Sequence, residues 1–136
     1  MNTADVKQFN QSVLAYVTPW NNRGYDIAKI FANKFTHVSP VWLSLKLNAD
    51  EETTRVEGEH DIDMKWMEEV RHANRDIKFV PRIILSEWSY AELIALLTHS
   101  KLPAFIGKQM VQLADKWKFD GFVLEVDRRE HFRAGI

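Results

Sequence analysis

Residues 119–136 read FDGFVLEVDRREHFRAGI. Its first part, FDGFVLEV (Phe119–Val126), is nearly continuous in apolar and β-branched residues. That is the profile of a strand covered on both faces, as parallel strands between helices are. Two carboxylates, Glu125 and Asp127, fall at its C-terminal end. The remainder, DRREHFRAGI (residues 127–136), is charged and unpatterned, and reads as an atypical tail on a core strand.

Working back from that strand, the chain alternates between two hydrophobic periods. SVLAYVTPW (Ser12–Trp20) is a short β-branched and aromatic run, and residues 1–11 before it form a polar N-terminal segment. YDIAKIFANKF places Ile27, Ile30, Phe31 and Phe35 at helical spacing, with Asp26 near the positive end of the dipole. THVSPVWLSLKL (Thr36–Leu47) returns to strand character, with Pro40 marking an edge, a bulge or a break. NADEETTRVEGEHD reads as an exposed acidic loop, and IDMKWMEEVRHAN puts Trp66, Met67, Val70 and Ala73 on one helical face. IKFVPRIIL is a third strand interrupted by Pro81. YAELIALLTH follows with Ser89 as its N-cap, and PAFIGKQMVQLADKW carries Pro103 in its first turn. The apolar stripe of this last helix is Ile106, Met110, Leu113 and Trp117.

The order β-α-β-α-β-α-α-β has crossovers long enough for parallel strands. An α/β fold follows, either a small open parallel sheet or a segment of a (β/α) barrel spanning residues 12–126. With 136 residues there is room for one modest domain. Hydrophobic residues at 46% and charged residues at 27% give a globular balance. A net charge of −1 without any block of basic residues argues against nucleic acid. The absence of cysteine removes disulfides and thiolate catalysis. No apolar run approaches the roughly 20 residues of a membrane span, and the polar start lacks a signal peptide's apolar core. Taken literally, the chain begins in the cytoplasm.

Three stretches together resemble glycoside hydrolase family 18: VLAYVTPWNNRGYDIAKIFANKFTHVSPVW, GEHDIDMKWMEEVRHANRDIKFVPRIIL and KFDGFVLEV. The resemblance covers Val13 to Val126 in order and spacing, and it implies a partial TIM (β/α)8 barrel supplying about the first four β/α units. Active members carry D-G-x-D-x-D-x-E on the fourth strand. Alternate residues of a strand point to one face, so these acids line the barrel interior up to its mouth. By resemblance, the final Glu protonates the departing glycosidic oxygen, and the preceding Asp orients the substrate's own N-acetyl group. Asp120 and Gly121 match the opening of the motif as a remnant. Val123 stands in place of the second acid, Glu125 of the third, and Asp127 where the catalytic Glu belongs. Asp is one methylene shorter, which displaces its carboxylate by roughly 1.5 Å, and a misplacement of about 1 Å costs ~10²-fold in rate. The small-residue signature S-x-G-G of the family's third strand is absent from VPRIIL. Glu125 and Asp127 are therefore the catalytic candidates in a chain expected to lack hydrolase activity.

Sugar contact is expected at aromatic residues near the C-terminal ends of barrel strands, where Trp20 and Trp88 fall, with Trp42 a further candidate. Tyr16 and Thr18 alternate toward the interior of the first strand, and Tyr16 joins this substrate-contacting set. Packing is the plain alternative for each. Trp66 and Trp117 lie on helical stripes and read as core. EGEHDID lacks metal-ligand spacing, so it reads as a solvated loop, and no cofactor or metal motif is present. Three functions stay open: an inactive chitinase-like binder of an oligosaccharide such as chitin fragments, a weak glycosidase acting on N-acetylglucosamine-containing glycans, and a truncated or partner-dependent isoform. A scavenger-receptor partner and a lysosomal or secreted location are implied by the resemblance alone.

Overall fold

The structure, a computed structural model, describes residues 11–18, 22–98 and 101–127. Its centre is four parallel strand lines in sequence order. The first is β1 (Leu14–Val17). The second is split into β2 (His37–Pro40) and β3 (Leu43–Leu47), and the third into β5 (Lys78–Phe79) and β6 (Arg82–Leu85). The fourth is β7 (Val123–Val126). β2 pairs in parallel with β1 and β5, while β6 pairs in parallel with β3 and β7. Both splits fall at prolines, because Pro40 and Pro81 have no N–H to give the ladder. The break at Val41–Trp42 also adds a residue. Val38 and Leu43 are five apart yet both are buried, as a bulge permits.

Tyr16 is level with Ser39, and Val38 is level with Phe79, which places Val80 beside Ser39. Arg82 is level with Val123, so Val80 is level with Gly121. The row from Tyr16 therefore ends at Gly121, and β7 starts beyond the level of β1. The first three lines start level, Leu14 with His37 and His37 with Lys78, and the fourth begins higher, at Val123 beside Arg82.

Four helices connect the lines: α1 (Asn22–Ile30), α2 (Met64–Ala73), α3 (Tyr90–Thr98) and α4 (Leu102–Trp117). Asp63 caps α2 by accepting from the Trp66 N–H at 3.0 Å. Ser89 and Glu92 form a reciprocal capping box at α3, with N–H···O distances of 2.8 and 3.1 Å. Pro103 occupies the first turn of α4 as expected. The helices' buried residues Met67, Val70, Leu93 and Leu113 join Val38, Leu43, Leu45, Phe79, Ile83 and Leu85 in one core. Each such side chain contributes roughly 1.5–3 kcal/mol of burial free energy.

Four expectations are corrected. The acidic segment after β3 is not a plain loop, because it returns as β4 (Thr54–Glu57), antiparallel to β3. Asp50 makes the turn by accepting from the N–H groups of Glu52 and Thr53, both at 3.0 Å. The apolar stripe read on α1 does not face the core. Ile27 and Ile30 are 44% and 58% exposed, and the buried residues are Ala28 and Ala32. The small alanines allow close approach. Tyr25 stacks on Trp66 at 4.4 Å and Lys29 reaches Glu69 at 3.0 Å, which fixes the helix's rotation against α2. Asp26 sits in the second turn and pairs with Lys29 rather than capping the helix. Ala73, read on the buried face of α2, is exposed.

Candidate functional site

Alternation along the strands separates a helix-covered face from an open one. Leu43, Leu45, Ile83 and Leu85 are buried against the helices, so Ser44, Lys46, Arg82 and Ile84 belong to the other face. Register carries this face to the fourth line. Ser44 is level with Ile84, Ile84 with Glu125, and Arg82 with Val123. Glu125 forms an ion pair with Arg82. The Arg82 guanidinium also lies 5.7 Å from the centroid of the Tyr16 ring, which is 55% exposed. Tyr16, Arg82 and Glu125 thus converge from lines one, three and four. Ser39, level with Tyr16, is fully buried with no hydrogen-bond partner for its hydroxyl among the described residues.

Ile84, level with Glu125, also borders an open cleft of about 590 Å³ at the β2–β3 break of line two. Among the described residues it is lined by Val41, Trp42, Leu43, Ser44, Glu57, Gly58, His60, Asp61 and Ile84. Its rim is set by charge. Lys46 bridges Glu57 at 3.2 Å and Glu87 at 3.5 Å. Arg55 and Lys46 together hold the Glu57 carboxyl below the usual carboxylate range. Gly58 is the hinge of this wall, with φ at +102°, and a Cβ built there would lie 1.9 Å from the Trp42 carbonyl oxygen. Only glycine fits that approach. The following turn is anchored by Glu59, which accepts from Trp117 Nε1 at 2.9 Å and pairs with Lys116 at 3.1 Å.

The remaining sequence-derived candidates are distributed as follows. Trp42 contributes to the cleft wall, but its ring packs on Trp66 and Phe119, and its N–H is donated to the Tyr25 hydroxyl at 2.7 Å. Trp88 is 2% exposed and donates its N–H to the Leu45 carbonyl at 2.9 Å, so its ring is enclosed rather than offered as a platform. A large ring whose one polar atom finds a backbone acceptor is stable inside. Trp20 lies outside the described residues. Asp127 extends the β6–β7 ladder by one bond, its N–H donated to Leu85 O at 3.3 Å.

The motif remnant has a separate task. Asp120 exchanges two bonds with Phe79: its Oδ2 accepts the Phe79 N–H and its own N–H is donated to Phe79 O, both at 2.8 Å. This clamp joins lines three and four at their N-terminal ends. The residue missed by sequence reasoning is Arg82. Its signal was available, since a guanidinium inside the apolar run VPRIIL needs a partner.

The sequence matches no family model. Among solved structures, the chain is similar to a glycoside hydrolase family 18 N-acetylglucosaminidase from Paenibacillus barengoltzii. That match has a TM-score of 0.61 and 17% identity, and covers 85% of this chain and 31% of that one. It is also similar to a chitinase from Bacteroides thetaiotaomicron (TM-score 0.63, 15% identity, 86% and 36% covered). A family 18 chitinase from Cycas revoluta, solved in complex with (GlcNAc)3, matches with a TM-score of 0.61 and 20% identity, at 86% and 34% coverage. The chain spans about a third of the length of each of these structures. At these identities the likeness is one of fold.

Proposed function

We propose that this chain is a partial (β/α)8 barrel of the family 18 type that binds an N-acetylglucosamine oligosaccharide on its open face without hydrolysing it. The observation that carries the reading is the Tyr16–Arg82–Glu125 cluster on the open sheet face, where Ile84, level with Glu125, also borders an open cleft. An exposed phenol ring offers a flat apolar surface to the C–H face of a sugar. Arg82 supplies donors and Glu125 acceptors for hydroxyl and acetamide groups. Glu125 is engaged as an ion-pair partner rather than presented to a leaving group, and Val123 leaves the acid series incomplete. The fold likeness and the four parallel lines in sequence order support the barrel, and the Cycas complex supports the ligand class.

Binding is tested by titrating chitotriose into the labelled chain and following amide shifts. Tyr16→Ala and Arg82→Gln are each expected to weaken binding about 10-fold or more, the scale of one aromatic or charged contact. Unchanged affinity in both variants removes the proposed site. A second reading, weak hydrolysis through Asp127, has one observation in its favour: the residue continues the ladder at the C-terminal end of the strands. Turnover of a fluorogenic chito-oligosaccharide that Asp127→Ala abolishes would establish it over the inactive reading. The chitinase-domain type of this family, with its receptor partner and its lysosomal or secreted location, remains the finer form of the proposal.

A further inference from the structure

We propose that the Ser39 hydroxyl is a sugar contact held under the Arg82 side chain. An incoming N-acetylglucosamine unit uncovers it by lifting Arg82 off Tyr16. The inference rests on the binding reading above and adds to it a contact residue and a moving arm.

Ser39 sits in the middle of β2, between Val38 and Pro40. Val38 belongs to the helix-packed core, so alternation turns Ser39 to the opposite face, the one that carries Tyr16 and Arg82. Its register partner on β1 is Tyr16, and its neighbour on line three is Val80, two residues before Arg82. Ser39 is 0% exposed although Tyr16 beside it is 55% exposed. The cover comes from across the strand. Arg82 starts on line three, and its guanidinium lies 5.7 Å from the centroid of the Tyr16 ring on line one. Line two, with Ser39, runs beneath that contact.

A buried hydroxyl normally finds a partner, and one left without a partner costs stability. Ser39 Oγ has none among the described residues. Alanine would fill the same place without that cost. A polar group stranded in this way points to a second state in which it is paired.

The Tyr16 ring supplies that state. A sugar that touches Tyr16 and Glu125 together lies on the ring face that Arg82 now covers, so it must displace the guanidinium. Arg82 can give way without losing its counter-charge. Its Nε is buried against Glu125 on the adjoining strand, while its hold on Tyr16 is a cation–π contact to a half-exposed ring. The side chain is 26% exposed, which leaves room for the arm to turn. Ser39 then lies open beneath the sugar. A hydroxyl both donates and accepts, and so suits a sugar hydroxyl or either end of an acetamide.

Ser39→Ala tests the proposal, because it removes the hydroxyl and little else. The unfolding midpoint of the unligated variant is expected to rise by about 2–5 °C, as loss of an unpaired buried group implies. Its affinity for chitotriose is expected to fall about 10-fold, the scale of one hydrogen bond to the ligand. In the labelled parent chain the Arg82 Nε–H signal is expected to move at saturating chitotriose, as the guanidinium leaves the Tyr16 ring. An unchanged or lower midpoint shows that the hydroxyl is already paired in the unligated fold and overturns the proposal. Unchanged affinity in Ser39→Ala, with Tyr16→Ala still weakened, overturns the proposal and leaves the binding reading standing. An Arg82 signal that stays in place at saturation also overturns it. A parent chain that does not bind chitotriose overturns the binding reading, and this inference falls with it.

Discussion

Replacing Gly58 with alanine is the sharpest test of the cleft wall. The backbone there has φ at +102°, outside the left-handed region that side chains tolerate best, and the strain costs roughly 1–3 kcal/mol. The added methyl would lie 1.9 Å from the Trp42 carbonyl oxygen and 3.0 Å from its carbon. Both are backbone atoms, so no side chain can swing aside. The β4 end and the β2–β3 break must separate by more than about 1 Å, a backbone shift that costs typically another 1–3 kcal/mol. A total of about 2–6 kcal/mol is a large part of the roughly 5–15 kcal/mol that holds a domain folded. At roughly 3–4 °C per kcal/mol for a domain of this size, it corresponds to a fall in Tm of about 6–24 °C. The assay is urea unfolding followed by tryptophan fluorescence, since Trp42 is the residue displaced. Gly107→Ala is the control: Gly107 lies in α4, with nothing within 4 Å of its would-be Cβ. That change is expected to stabilise by about 0.5–1 kcal/mol. If Gly58→Ala costs less than about 1 kcal/mol while the control behaves, the tight approach of Gly58 to Trp42 is refuted.

Two further predictions concern the motif remnant and the turn behind the cleft. Asp120→Ala removes the acceptor of the Phe79 N–H and is expected to cost about 1–3 kcal/mol, whereas Asp120→Asn, which keeps an acceptor oxygen, costs less than half as much. Equal losses in the two variants would show that the clamp is not a hydrogen bond. Burial pushes the Glu59 carboxyl upward, but the Trp117 N–H and Lys116 outweigh it and hold the group below the usual glutamate range. A depressed folded value means that its contribution is present above the unfolded pKa of about 4.3 and is lost as pH falls below it. Stability measured from pH 7 to pH 3 should therefore fall less steeply in Glu59→Gln than in the parent chain, and parallel curves would remove Glu59 from the anchor.

Much of the fold was legible because local rules and tertiary packing agree. Pro40 and Pro81 announced the split lines, Ser89 announced its helix, and the stripe of α4 fell where periodicity placed it. α1 was misread because period alone does not choose between two apolar faces. The Ala28–Ala32 face won through close approach and the Tyr25–Trp66 stack, leaving Ile27 and Ile30 outside. β4 was hidden in a polar segment because its pairing is with β3, and Thr54 is buried through a bond to Gln109, 55 residues away, at 2.6 Å.

The candidate site divides in the same way. Sequence alone set the alternation that puts Val123, Glu125 and Asp127 on one face, since a strand's period is two and FVLEV has no residue that breaks it. It also placed Asp120 and Gly121 at the start of that strand. Tertiary structure decided what those residues meet. Asp120 became a clamp on Phe79, Glu125 acquired Arg82 from the neighbouring line, and Trp88 turned inward to the Leu45 carbonyl. Register across strands 40 residues apart in sequence chose these partners. The long-range pairing energy that sets register is a property of the assembled sheet, and no single segment contains it.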